Sequence, residues 1–160
     1  MFTFLFVSCA QVDEEPTEDT AYLRKAPILG LSISEGDNAG FFALTRDGTY
    51  SWKVIYPDAT EEQIQYDGIF CLDNEALASF TRKETGMKAK LSFTGNVMTY
   101  SVYCAPAEEI ESDKTKIKDD KYKLTPQSAE ITFPESGKYY YLVDVMYAQG
   151  EVPYGFVITE

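Results

Sequence analysis

The side chains of this chain that could carry chemistry are cysteines, carboxylates and aromatic rings. Its 160 residues contain three cysteines, one tryptophan and twelve tyrosines but no histidine. Without histidine, the chain cannot form a Ser-His-Asp or Cys-His nucleophile, a histidine general base or a histidine-ligated metal site. We therefore expect no cofactor and no metal, and we consider acylation, disulfide formation and ligand stacking instead.

Cys9 lies in a pattern that is typical of a lipid-attachment site. The apolar run from Phe2 to Val7 is followed by the small residue Ser8, by Cys9 and by an acidic stretch. This pattern resembles the lipobox of bacterial lipoprotein signals, in which the cysteine receives diacylglycerol and becomes the mature N-terminus. A signal also has a basic region and about 7–15 apolar residues, but no Lys or Arg precedes Arg24. A start codon further upstream would supply both, and the alternative is an edge strand with a free core cysteine.

The lipobox predicts how the chain is organised. Residues 1–8 would be a truncated signal remnant, residues 9–24 an acidic flexible tether and residues 25–160 a single domain. Five acids lie between positions 13 and 19, a composition that self-repels and stays extended. The apolar run is too short for a transmembrane helix, which needs about 20 apolar residues. We therefore predict an exported lipoprotein that is anchored in the membrane of the cell envelope or surface.

Cys71 and Cys104 remain once Cys9 is assigned to lipid. An even pair of cysteines in an exported domain permits one disulfide. A loop of about 33 residues closed in this way would stabilise the fold by roughly 3–4 kcal/mol in the chain-entropy model. The alternative is that both are free cysteines that act as small apolar residues in the core.

The acidic balance of the chain limits its partners and its catalysis. The formal net charge is -12, so the basic stripe that nucleic-acid binding requires cannot be assembled. Paired carboxylates can perform glycosidase chemistry, but Glu108-Glu109 and Asp119-Asp120 both lie in a charged segment, residues 108–123, that predicts a solvated loop. This segment has no glycine bend and is interrupted by lysines, which argues against a calcium loop. We expect no enzyme, with a carboxylate-based hydrolase kept as the least favoured alternative.

Three aromatic residues are the candidates for ligand stacking: Trp52, Tyr140 and Tyr154. Rings of this kind can stack on sugars or peptides, and a carbohydrate- or peptide-binding surface adhesin is the alternative function they predict. Tyrosines at every second position of a strand more often belong to a core, however, and a sole tryptophan is more often a core residue than a binding platform.

Period-two alternation defines most of the elements that would position these residues. It predicts half-buried strands because successive side chains of a strand point to opposite faces. The predicted strands cover residues 28–33, 41–45, 49–56, 66–71, 87–93, 97–104, 128–133, 138–148 and 151–159. Pro153 lacks an amide donor and is therefore expected on an edge strand.

Turn and cap signals separate these strands. Asp47-Gly48 predicts a type I′ hairpin turn. The spacing of residues 60–63 resembles a capping box and allows one helical turn. Asp73 is a plausible N-cap for a helix over residues 74–83, whose Ala76, Leu77 and Phe80 fall on one stripe. Seven to nine short strands and one short helix indicate an all-β chain folded as an antiparallel immunoglobulin-like β-sandwich, with a small β-barrel as the alternative.

Two stretches resemble a known group of proteins. They are Gly48-Thr49-Tyr50-Ser51-Trp52 and the C-terminal segment from Gly137 to Tyr141 with Val145, Gly150, Tyr154 and Phe156. Together with the lipobox they resemble uncharacterised small bacterial envelope lipoproteins, mainly Gram-positive, that carry a Gly-Thr-Tyr-Ser-Trp strand and a terminal Tyr-rich hairpin. The resemblance covers about a third of the chain. It implies an envelope location and a β-rich fold, and it implies no catalytic residue.

These observations predict a lipid-anchored cell-envelope protein that acts as a non-catalytic binding or accessory module. Its expected partners are the membrane, through the lipid on Cys9, and an envelope protein or a glycan.

Overall fold

A computed structural model describes residues 23–33, 40–82, 85–126 and 129–160. The signal remnant, Cys9 and most of the predicted tether lie outside the described residues. The strands are β1 Gly30–Ile33, β2 Gly40–Ala43, β3 Thr45–Arg46, β4 Tyr50–Ile55, β5 Glu61–Tyr66, β6 Ser79–Thr81, β7 Lys88–Ser92, β8 Val97–Pro106, β9 Lys123–Leu124, β10 Glu130–Thr132, β11 Tyr139–Tyr147 and β12 Gly150–Thr159. The helical segments are α1 Ala107–Ile110 and three 3-10 turns, Cys71–Asp73, Lys114–Lys118 and Asp120–Tyr122.

The strands form two facing sheets and a separate hairpin, which confirms the predicted all-β sandwich. Sheet A has the order β10-β7-β1-β2, and sheet B has the order β3-β12-β11-β8-β9. The hairpin β4-β5 packs beside them, where the Lys53 amide donates to the Gln149 carbonyl over 2.9 Å. One pair departs from the predicted antiparallel pattern, because β6 runs parallel to β12. The described sheets stay open, so the alternative of a small barrel is not formed.

The main core lies between the inner faces of the two sheets and the hairpin. Alternate residues of β11 and β12 point into it, as their period-two pattern predicts. Tyr141 and Phe156 stack at its centre with ring centroids 4.6 Å apart. Trp52 of β4 closes one end by packing edge-on against Tyr147 at 5.5 Å. The inward face of the long C-terminal hairpin is therefore structural.

A second apolar cluster lies on the outer face of sheet B, where the sequence predicts a solvated loop. Residues 107–122, hereafter the cap, fold onto this face through α1 and two of the 3-10 turns. Ile110, Ile117 and Tyr122 are buried in this cluster against Tyr140 and Leu142 of the sheet. The prediction of a solvated loop is wrong because three well-spaced apolar anchors suffice to hold a charged segment on a sheet.

Two helical predictions are also wrong. Within the range predicted as a helix, 74–83, the described residues 74–82 are not helical, since Asp73 ends a 3-10 turn and Phe80 lies in β6. Leu77 packs in the outer cluster whereas Phe80 packs in the main core, so the two side chains face different layers. The capping-box segment belongs to β5, where Glu62 pairs with Val54 of β4. Cross-strand pairing thus overrides the local helical signals.

The Asp47-Gly48 dipeptide does not form the predicted hairpin. Gly48 is not among the residues with positive φ, which a type I′ turn requires. A β-carbon placed on Gly48 would lie 2.6 Å from the amide nitrogen of Ile69. This glycine serves a close backbone approach between the β3-β4 and β5-β6 connections, and the Asp47 carboxylate caps the Thr49 amide at 2.7 Å.

Pro153 also lies elsewhere than predicted, because β12 pairs on both sides instead of forming an edge. The Pro153 carbonyl accepts from the Asp47 amide over 2.8 Å, on the side of β12 that faces the two-residue strand β3. The N and O atoms of one strand residue point the same way, so the missing donor of Pro153 also faces this short neighbour.

Residues 23–29 run along the sandwich as an extended segment, hereafter the clasp, whose carbonyls are held by side chains. The Trp52 indole donates to the Leu23 carbonyl at 2.8 Å. Buried Tyr154 donates to the Pro27 carbonyl at 2.7 Å. Further donors to the clasp carbonyls are Tyr66, Arg46 and Thr94. Leu23 and Arg24, which the sequence analysis assigns to the tether, therefore contact the domain.

Candidate functional site

The three predicted stacking residues are not available to a ligand. Trp52 and Tyr154 are fully buried in the main core, and Tyr140 is 3% exposed in the outer cluster. The Tyr140 ring is covered by the ammonium groups of Lys138, 4.9 Å from its centroid, and Lys114 at 5.1 Å. The stacking prediction is wrong for these residues because their period-two spacing places them where the sheets pack.

The predicted disulfide does not form, and both cysteines are free. Cys71 packs against Gly155 on the outer face of sheet B, whereas Cys104 packs with Tyr141 into the main core. The two thiols therefore lie on opposite sides of one sheet, where a disulfide cannot join them. Burial raises the pKa of the Cys104 thiol to about 11 and raises the pKa of the Cys71 thiol further above its usual range. Both are inert apolar fillers at neutral pH.

The cap covers only part of the outer face of sheet B and leaves two rows of residues open. The cross-strand pairing places Ser101, Asp144 and Pro153 in one row and Thr99, Met146 and Glu151 in the next. Leu142 in the row beneath the cap is fully buried, whereas every residue of the two open rows is partly or largely exposed. This open half is the part of the sheet that could meet a ligand.

A cleft of 150 Å³ lies over these rows. Its lining residues are Thr99, Tyr100, Ser101, Tyr103, Asp144, Met146 and Glu151. The hydroxyls of Thr99 and Ser101, the carboxylates of Asp144 and Glu151, the Met146 thioether and the two tyrosines thus surround one small volume. Binding sites commonly combine apolar surface with a few placed polar groups in this way.

Asp144 is the most constrained polar residue of the cleft. Its side chain is 12% exposed, and its Oδ2 atom lies 3.0 Å from the Lys118 ammonium at the edge of the cap. The other oxygen, Oδ1, is buried and has no hydrogen-bond partner among the described residues. A buried carboxylate oxygen that lacks a hydrogen-bond donor destabilises the folded state. Asp144 is therefore prepared to accept one more hydrogen bond.

Two carboxylates line the cleft and the Lys118 ammonium lies beside one of them, so the formal charge of the cleft is about -1. Burial alone would lower the pKa of Lys118, but the hydrogen bond to Asp144 and the charges of Asp144 and Glu151 outweigh it and raise this pKa. Lys118 thus stays protonated across the physiological range. The remaining charge favours a cationic ligand group.

One edge of sheet B is open beside this cleft. β9 pairs with β8 only at Val102 and Tyr103. No described strand pairs with residues 97–101 of β8 on the side away from β11. Where β9 diverges from β8, a gap of 380 Å³ remains between residues 99–102 and residues 123–126. The gap and the cleft share Thr99, Tyr100 and Ser101, and together they flank the β8 edge.

The site cannot be predicted from the sequence because its residues are ordinary in type. Asp144 is the one charged residue of β11 and interrupts an apolar strand, but this interruption alone does not indicate a binding role. The edge left open by a two-residue β9 depends on tertiary pairing and leaves no local signal.

Comparisons with known protein families, with curated proteins and with solved structures give no match to this chain. Within the described residues, no helix is long and apolar enough to cross a membrane. The same part of the chain contains no group of three acidic or cysteine side chains arranged to hold a metal ion.

Proposed function

We propose that this chain is a lipid-anchored cell-envelope protein that acts as a non-catalytic binding or accessory module. Cys9 is the anchor, and the cleft beside Asp144 is the binding site. The observation that carries the binding role is the half-covered outer face of sheet B, where a nearly buried carboxylate has an oxygen without a donor.

The chemistry of the cleft supports binding over hydrolysis. A carboxylate-based hydrolase uses two carboxyl groups, one of them protonated as a general acid. Here the partner of Asp144 is the Lys118 ammonium, 3.0 Å away, and not a second carboxyl group. An ion pair with a further acidic residue, Glu151, in the same cleft suits recognition of a polar or charged ligand group better than it suits proton transfer.

The anchoring part of the proposal is tested by metabolic labelling of full-length protein, expressed with its upstream region, with an alkyne analogue of palmitate. We expect label on the wild type and none on Cys9→Ser, with the variant released from the membrane fraction. Equal labelling of both proteins, or label on neither, would contradict the anchor.

The binding part is tested on the full chain carrying Cys9→Ser, which keeps the domain soluble. The protein is screened on a glycan array and against a displayed library of random heptapeptides. Glu151→Arg reverses an exposed charge at the cleft, and Glu135→Arg makes the same change in a distant turn. We expect ligands whose binding is lost in Glu151→Arg and kept in Glu135→Arg. Absence of ligands, or equal binding by both variants, would refute the binding site, and turnover of a captured ligand would show an enzyme.

A further inference from the structure

We infer that the open edge of β8 binds an extended peptide as an added strand, and that this peptide places a Lys or Arg side chain against Asp144. The inference rests on the proposed function and deepens it, because it names the class of ligand and the way in which the ligand is held.

The open edge of β8 lacks the usual protection against pairing with another strand. An edge strand presents unpaired amide and carbonyl groups, and proteins commonly guard such edges with charged residues or proline. Residues 97–101 contain neither, although a quarter of the chain is charged. Their one irregularity is a bulge at Met98, which lies between the paired residues Val97 and Thr99 and has no partner in β11. The edge from Thr99 to Ser101 is thus regular and unguarded, as in domains that bind peptides by strand addition.

Space for an added strand lies in the plane of sheet B. β9 is hydrogen-bonded to β8 at Val102 and Tyr103, and then diverges through Thr125 and Pro126. The 380 Å³ gap lies where a continuation of β9 would pair with residues 99–101. Strands of a sheet lie about 4.8 Å apart, so a peptide entering this gap continues the line of β9 along β8.

The position of Asp144 determines which side chain such a peptide needs. Ser101 of β8 pairs directly with Asp144 of β11. A peptide residue opposite Ser101 would lie two strand spacings from Asp144, roughly 10 Å. An extended Lys or Arg side chain spans this distance above the small Ser101 side chain. Its N–H groups would reach the Asp144 carboxylate, whose side chain is 12% exposed and whose Oδ1 atom has no donor among the described residues, and the net negative charge of the cleft would favour it.

The same observations disfavour two other occupants. A glycan would use exposed ring faces, and the aromatic residues predicted for that role are buried. A second copy of this chain pairing through β8 would bring residues 97–106, which contain no Lys or Arg, and would leave Asp144 without its donor.

The test selects heptapeptides from a random displayed library on the full chain carrying Cys9→Ser. Ser101→Lys places a long basic side chain between the edge and Asp144, and Thr132→Lys makes a matched change at an exposed position of β10. We expect enrichment of peptides that contain Lys or Arg, with affinity reduced more than about tenfold by Ser101→Lys and unchanged by Thr132→Lys. Asp144→Asn should weaken a selected peptide about tenfold and should not weaken its Gln-substituted counterpart. Unchanged Trp52 fluorescence and thermal midpoint show that the variants are folded.

Amide hydrogen exchange distinguishes this inference from the proposed function. A selected peptide should slow exchange of alternate amides in residues 99–101 by about tenfold or more, because strand addition gives them hydrogen-bond partners. If selected peptides fail to bind Glu151→Arg but do not slow amide exchange in β8, strand addition is wrong and the proposed binding module stands. Glycan binding, or β8 protection that depends on protein concentration through self-association, also overturns the inference. Failure to select any ligand overturns both proposals.

Discussion

Replacing Tyr154 by Phe tests whether hydrogen bonds from the core hold the clasp. The Tyr154 hydroxyl donates to the Pro27 carbonyl at 2.7 Å and lies 3.2 Å from the Tyr147 hydroxyl, all within the buried core. The substitution keeps the ring and leaves the Pro27 carbonyl without its donor. An unsatisfied buried acceptor costs about 1–3 kcal/mol of unfolding free energy.

Urea denaturation of the full chain, followed by fluorescence of the sole tryptophan, measures this loss. With an m-value of about 2 kcal/mol/M, the expected decrease lowers the midpoint by roughly 0.5–1.5 M. Trp52 is a suitable probe because it is buried and its indole donates to the Leu23 carbonyl of the same clasp. Loosening of the clasp should therefore change the fluorescence of Trp52 directly.

Tyr141→Phe is the matched control. Tyr141 is as deeply buried as Tyr154 and lies on the neighbouring strand, but its hydroxyl has no hydrogen-bond partner among the described residues. The Cys104 thiol beside it is a weak partner at most. Removing this hydroxyl should leave stability unchanged or slightly increase it. If Tyr141→Phe destabilises as much as Tyr154→Phe, or if Tyr154→Phe changes the midpoint by less than about 0.2 M, the clasp is not held as we describe.

Three further predictions concern other contacts of the described residues. Cys71 and Cys104 should resist alkylation in the native protein at pH 8 and react in urea, with no 2 Da mass deficit before reduction, whereas a deficit would restore the disulfide. Gly48→Ala should destabilise by about 1–3 kcal/mol, because its β-carbon would lie 2.6 Å from a backbone nitrogen, and an unchanged urea midpoint would contradict that close approach. Glu62 accepts two hydrogen bonds from Arg24, each 2.8 Å long, and these lower its pKa below the ordinary value of 4.5. The stability this pair contributes is present above pH 4.5 and is lost as the pH falls through the lowered pKa, so the difference in thermal midpoint between wild type and Glu62→Gln should shrink toward pH 3. A constant difference would show that the ion pair contributes nothing.

The strands with strict alternation could be predicted from sequence, because one of their faces must be apolar. β7, β11 and β12 lie within two residues of the predicted ranges. Predictions failed for segments whose apolar spacing fits both a helix and a strand. Ala76, Leu77 and Phe80 have helical spacing, but a turn at residues 75–76 is followed by the strand β6, and Leu77 and Phe80 pack in different layers.

The cap illustrates a second limit. Ile110, Ile117 and Tyr122 stand out in the charged segment 108–123, but only the outer face of sheet B gives them something to pack against. The candidate site depends on the same arrangement, since Asp144 is a site residue only because the cap reaches it with Lys118 alone and β9 ends after two residues. Boundaries of this kind are set by tertiary packing and have no local signature.

The position of β12 has a consequence for how the protein is made. This strand is the last in sequence order, but it lies in the interior of sheet B and contacts β3, β6 and β11. A nascent chain in which residues 150–159 have not yet emerged from the ribosome therefore lacks the strand that joins its early and late segments. Sheet B cannot be completed in such a chain, because β3 and β6 pair with β12 and with no other described strand. Completion of sheet B is therefore expected to be a late step of folding that waits for residues 150–159.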